Sequence, residues 1–219
     1  MIDPAPNAPE GSVTTLESYA PTDFTHDDAI LCRVTAPLVS MAFGFIRRNM
    51  GVRILGKDIG EGLLTLIKKM NAPDVDELEV RLRRWADREE AKLRERGKDQ
   101  AADNIVDKFT CLKIFIDILP ENDRSVATVC KSIQTLFTNN NQGLLTLCTV
   151  HKAKGLEWDR VFILDRSKYM PSKWAKQDWE RRQERNLIYV AITRARRDLF
   201  YINSNQWKSQ TQNVANSTT

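Results

Sequence analysis

The sequence predicts an α/β fold: a parallel sheet flanked by helices, with an all-helical insert. Three observations carry this. Short β-rich runs recur early and late, at AILCRV (29–34), VRIL (52–55), LLTLCTV (144–150), RVFIL (160–164) and RDLFYI (197–202). An apolar helical run lies between the first two, and a strand–helix–strand unit favours parallel pairing. Residues 57 to about 138 show helical spacing and no strand pattern. The resulting organisation is an irregular linker over 1–26, a sheet-forming unit from 27–58 and 139–203, a helical insert over 59–138 and a polar tail over 204–219.

The leading segment holds four of the eight prolines, which suits irregular chain. AILCRV is apolar and bounded by Asp27 and Asp28, as a buried strand would be. Pro37 fits the first turn of a helix running through Leu38 to Asn49, and Gly51 is placed as its C-cap. VRIL is the second strand. In 74–99 dense charges of both signs stand at i,i+4 spacing, Glu77 to Arg81, Glu79 to Arg83 and Glu90 to Arg94. Its apolar positions are sparse, Leu78, Leu82, Trp85 and Leu93, which predicts a long, mostly exposed helix. That hairpin is either part of the insert or an arm that touches a partner. Ile105, Phe109, Leu112, Ile116 and Leu119 make a clear stripe in the next helix, closed by Pro120. Val126, Val129, Ile133 and Leu136 repeat it in a third. Residues 174–195 read as a basic helix between the last two strands.

The chain has 219 residues, 33 basic and 29 acidic groups, and a formal net charge of +4. An ordinary apolar fraction of 42% excludes a wholly disordered chain. No run approaches the roughly 18 apolar residues of a membrane helix, and the start lacks the basic and apolar regions of a secretory signal. Cys32, Cys111, Cys130 and Cys148 are scattered without a CxxC pair, which argues against zinc or disulfides and predicts a reducing, cytoplasmic location. Charge is uneven. Residues 151–197 carry 13 Lys/Arg against 6 Asp/Glu, and four of the five tryptophans lie in or near that stretch. Basic groups among aromatics suit a polyanion with stackable bases; a solvated helix face with core tryptophans is the other reading.

Gly51 to Lys57 has the GxxxxGK spacing of a phosphate cradle. The intervening residues are strand-like, however, and Asp58 stands where a magnesium-binding hydroxyl belongs. We therefore reject it. No strand ends in an Asp-Glu pair; Asp165 is followed by Arg166. More informative is Thr149-Val-His151-Lys-Ala-Lys154-Gly155-Leu-Glu157, directly after a strand. Loops at the carboxyl ends of parallel strands are where such sheets place ligands. This one offers a hydroxyl, an imidazole, ammonium groups and a carboxylate, with a glycine for a tight turn. A capped surface turn is the alternative. In Asn186–Arg197, Leu187, Val190, Ala191 and Arg194 share a helix face, so an arginine stands at the rim of an apolar surface. Its fixed fork of donors can grip a transferring phosphoryl group, or pair with Glu157 or Asp159. Arg33, at the end of the first strand, is expected at the same sheet edge.

TVHKAKGLEWDRVFIL resembles motif V of UvrD/Rep-type superfamily 1 helicases, and NLIYVAITRARRDLFYI resembles motif VI. AILCRVTAPLV is similar to motif IV, although Val34-Thr35 stands where Asn often follows Arg. The resemblance spans about 27–202 and implies the second RecA-like motor domain of an ATP-dependent DNA helicase moving 3′ to 5′. By the same resemblance Arg194 and Arg33 would be arginine fingers. Glu157, Gly155 and Lys154 would lie at the nucleotide, and Thr149 and His151 toward single-stranded DNA. ATP and Mg2+ would be shared with a P-loop-bearing first domain, in another chain or a missing segment, and this chain would ligate no metal. The family's large subdomain is represented here by about 80 helical residues. The chain is expected to turn over little ATP alone. The competing expectation is a non-enzymatic nucleic-acid-binding or interaction module that keeps the fold.

Overall fold

A computed structural model describes residues 10–137 and 144–207. The outer parts of the expected linker and tail, and the insert boundary at 138–143, lie outside the described residues. The elements in chain order are β1 (Ser12–Thr15), β2 (Ala29–Cys32), α1 (Ala36–Ile46), β3 (Val52–Leu55), α2 (Lys57–Met70), α3 (Val75–Glu95), α4 (Asp99–Asp117), α5 (Val126–Leu136), β4 (Leu145–Thr149), β5 (Trp158–Leu164), α6 (Arg166–Tyr169), α7 (Asp178–Ile192) and β6 (Ala195–Ile202). The six strands form one sheet in the order β1-β6-β5-β2-β4-β3, with every pair parallel.

Alternation along the strands sends their side chains to two cores. Ile30, Ile54, Leu147 and Phe162 face a large core built with α1 and α2 to α5. Ala29, Leu31, Cys148, Val161 and Ile163 face a smaller one, where α7 contributes Ala191, Leu187 and Val190. The middle strands are buried on both faces, which is why they read as continuous apolar runs.

Several boundaries differ from the sequence reading, each for a physical reason. Residues 12–15 are not irregular: they pair with β6 as an edge strand. Four exposed residues hide such a strand from hydropathy, because backbone pairing and one surface hydrogen bond, Ser12 Oγ to Asp198 Oδ1 (2.9 Å), hold it. β2 ends at Cys32, two residues early, because Asp107 of α4 accepts hydrogen bonds from Thr35 N (2.9 Å) and Ala36 N (2.9 Å) and so starts α1 there. Gly51 is not the C-cap. Helix α1 stops at Ile46, and Asn49 takes the left-handed position at φ 58°. The insert contains four helices, not three, since Gly60 and Gly62 dilute the pattern of α2. Gly60 is needed for packing: a Cβ there would lie 2.8 Å from that of Phe137. Helix α3 is less exposed than its composition suggests, because Val75, Leu78, Leu82 and Ala86 are buried along one side. In α4 the predicted stripe is fully buried only from Leu112 onward; Ile105 and Phe109 are half-buried. Helix α7 starts at Asp178, where Glu180 accepts from Gln177 N (2.9 Å), and not at 174.

Among the described residues no helix is long and apolar enough to cross a membrane, and no cluster of His, Cys, Asp and Glu is arranged to hold a metal ion. The four cysteines are free thiols.

Candidate functional site

The loop after β4 crosses the sheet from edge to edge. Thr149 is level with Cys32 at the carboxyl edge, while Trp158, at the start of β5, lies three residues before the partner of Ala29. Six residue levels at ~3.3 Å each separate them, about 20 Å. The loop 150–157 spans that distance. It turns first on itself, with Thr149 O accepting from Lys152 N (2.9 Å) and Ala153 N (3.0 Å). Lys152 then binds Asp58 at the start of α2 (2.7 Å), which anchors the loop. The same contact disposes of the GxxxxGK resemblance, since β3 passes through Gly56 straight into α2 and Asp58 is an acceptor for lysine.

The residue sets expected at nucleotide and at single strand therefore separate. Gly155 and Glu157 lie toward the amino edge of β5, and Thr149 and His151 at the carboxyl edge of β4. Gly155 has φ +85° and open space where a Cβ would stand, so its backbone conformation selects glycine and close packing does not. Lys154 and Glu157 are exposed. Thr149 is largely buried (7% exposed). His151 is exposed; partial burial of its ring and then the Arg33 charge hold its pKa below the usual histidine value, against Glu184.

Arg194 follows α7 and precedes β6, and its carbonyl accepts from Trp158 N (2.9 Å), which puts it at the amino edge with Glu157. Its side chain ties the loop to the helix. Nη1 donates to Leu156 O (2.9 Å), Nε to Val190 O (3.0 Å) and Nη2 to Thr193 Oγ1 (3.0 Å). Every one of these acceptors is neutral. The carboxylates Glu157 (3.4 Å) and Asp159 (3.9 Å), weighed above as partners for Arg194, are taken by Arg196.

Arg33 does not share that edge, contrary to the sequence expectation. It follows β2 at the carboxyl edge, about 26 Å from Arg194 along the strands. The reason is topological: Arg194 stands before a strand and Arg33 after one, and parallel strands put those positions at opposite ends. The fork of Arg33 is also occupied, with Nη2 at 2.5 Å and Nε at 3.2 Å from the two carboxylate oxygens of Glu184 on α7. Ser172 N adds a third bond to Glu184 (2.7 Å). Burial raises the pKa of Glu184, but the Arg33 and Ser172 hydrogen bonds and the nearby charges outweigh it and hold it below the usual carboxylate range.

Beside Arg33 a groove of about 690 Å3 opens between the insert and the carboxyl edge, lined by Asp107, Lys168, Tyr169, Lys173 and Trp207 among others. The tryptophans divide: Trp179 is exposed (55%), whereas Trp207 packs edge-on against Tyr19 and Phe45. The sequence reading missed Glu184 and Asp107. Glu184 had a signal, because it shares the buried helix face with Leu187 and Ala191 at steps of three and four. Asp107 had none.

Six parallel strands flanked by helices, with an arginine-tipped helix laid along one face, define a RecA-like α/β domain. The chain belongs to the UvrD-like helicase C-terminal domain family, whose description matches residues 72–206. It is similar to the ATP-dependent DNA helicase PcrA of Bacillus subtilis (strain 168), 40% identical over 62 residues, 27% of this chain and 8% of the relative. It is also similar to the ATP-dependent DNA helicase UvrD1 of Mycobacterium leprae (strain TN), 44% identical over 63 residues, 28% of this chain and 8% of the relative. DNA helicase II of Rickettsia typhi (strain ATCC VR-144 / Wilmington) is 36% identical over 69 residues, 30% of this chain and 10% of the relative. The chain thus spans about a tenth or less of the length of these relatives.

Proposed function

We propose that this chain is the second motor half of an ATP-dependent DNA translocase moving 3′ to 5′, completed by a P-loop domain. The observation that carries the reading is Arg194: a guanidinium bound only to neutral oxygens, at the sheet edge that also bears Gly155 and Glu157. Those residues fit one flank of a nucleotide whose phosphates and magnesium the companion domain holds. Bound ATP would supply a γ-phosphoryl group whose charge spreads in the transition state. Arg194 would meet that charge, Lys154 would add a second cation, and Glu157 would accept from the ribose. The carboxyl edge, with His151 and the groove beside Lys168 and Lys173, would face single-stranded DNA. Arg33 belongs to this second edge and is not proposed as a finger.

Arginine fingers act on the transition state more than on bound ATP. With a UvrD-type P-loop domain added, the Arg194→Ala chain is expected to show turnover lower by roughly 10³ and an ATP affinity changed much less. Turnover within tenfold of the parent would remove the role. Failure of any P-loop domain to elicit turnover, with oligonucleotide binding intact, would leave a binding module.

A further inference from the structure

Helix α7 is held by unlike means at its two ends. Its buried residues are Glu184 and Ala191. The second half lies on the sheet through Leu187, Val190 and Ala191. The first half has no apolar anchor: Trp179, Arg181, Arg182, Gln183 and Arg185 are exposed, and the carboxylate of Glu184 alone is inserted. That carboxylate meets Arg33 just after β2 and Ser172 from the loop before α7, and its charge also acts on His151. A buried ion pair is a poor way to gain stability, because desolvation consumes most of the attraction, and a leucine would anchor the turn as well. What the pair adds is a fixed axial position. Glu184 lies on α7 and Arg194 two residues past its end, ten residues apart and so about 15 Å along the helix direction, a span that runs from the carboxyl edge toward the amino edge.

We infer that Glu184 is a positioning residue that couples the two edges: its grip on Arg33 sets where α7 lies, and so relays occupancy of the carboxyl edge to Arg194. This rests on the reading of that edge as the single-strand side. Coupling of this kind requires an element that both sites bias, and α7 touches both.

The test needs no nucleotide. Oligothymidylate is titrated onto the full chain by fluorescence anisotropy, and amide hydrogen exchange is followed over 190–197 with and without it. The parent chain is expected to bind and to slow exchange there by about fivefold or more. Glu184→Gln is expected to bind with affinity within about threefold and to lose that distant response. If Glu184→Gln does not fold, Glu184→Asp keeps the charge, shortens the reach and serves in its place. A response that survives in the variant overturns the relay alone. Loss of affinity together with the response makes Glu184 part of the binding edge and overturns its positioning role. No binding by the parent removes the single-strand reading and the relay with it.

Discussion

At the scale of single residues, the Arg33–Glu184 pair and His151 give the carboxyl edge a pH dependence. The folded-state pKa of His151 is depressed, chiefly by partial burial and next by Arg33. The unfolded chain therefore takes up a proton first, and stability complete above about pH 6.5 falls as pH drops below it. Glu184 is depressed as well, because its hydrogen bonds outweigh its burial. Its contribution is present above about pH 4.3 and is lost as pH falls through the lower folded value. Urea melts across pH should show two acid-side declines. His151→Asn is expected to flatten the upper one and Glu184→Gln the lower; an unchanged profile in either variant contradicts the assignment. The two segments that hold the candidate site, 149–157 and 186–197, stood out in the sequence by their motif resemblance, the first also by its place after a strand. The grouping of their residues was not legible there. Whether Arg33 and Arg194 share an edge depends on the sheet direction at each strand end, and the sequence shows this only when each arginine is read against the strand it precedes or follows.

At the scale of elements, Asp107 joins the insert to the sheet. It is an α4 residue that caps a different helix, bonding the first N–H groups of α1. A carboxylate at a helix N-terminus satisfies orphan donors and meets the positive end of the helix dipole. Asp107→Ala should cost about 1–2 kcal/mol in denaturant melts, with Asp107→Asn between variant and parent. A loss of a few tenths would show that water replaces the cap. A second seam supports the first: Arg94 on α3 bonds Asp103 (3.0 Å) and lies over the ring of Trp174, and Lys176 reaches Asp99 (3.4 Å). The hairpin of α3 and α4 is thereby tied to the loop preceding α7. Such seams explain what the sequence left out. Helical spacing identified α4 and α5, because apolar stripes bury against a neighbour wherever that neighbour lies. A capping bond between residues 72 positions apart has no periodicity to reveal it. Strand β1 had none either, being exposed at all four positions.

At the scale of the whole molecule, the sheet is covered unequally. One face carries α1 and the insert, and the other is closed by a smaller core in which α7 is the covering helix. The division into sheet and insert followed from the switch between β-rich and helical spacing near residues 57 and 144, because strand and helix bury residues at different periods. The crossing of loop 150–157 from edge to edge needed coordinates, since a run of turns shows only that the chain changes direction. One consequence follows from β3 and β4 lying side by side in parallel, with Val52 opposite Leu145. Neighbours that point the same way need a return path of about a dozen residues or more, and here the insert is that path. It is sewn into the fabric at both hems and cannot be snipped out whole. A small folded passenger spliced at Gly97, where φ is +66° and the surroundings are open, should leave the melting temperature nearly unchanged. Replacing 57–144 by a tight turn should yield a chain that does not fold, because the outermost strand would then have to reverse.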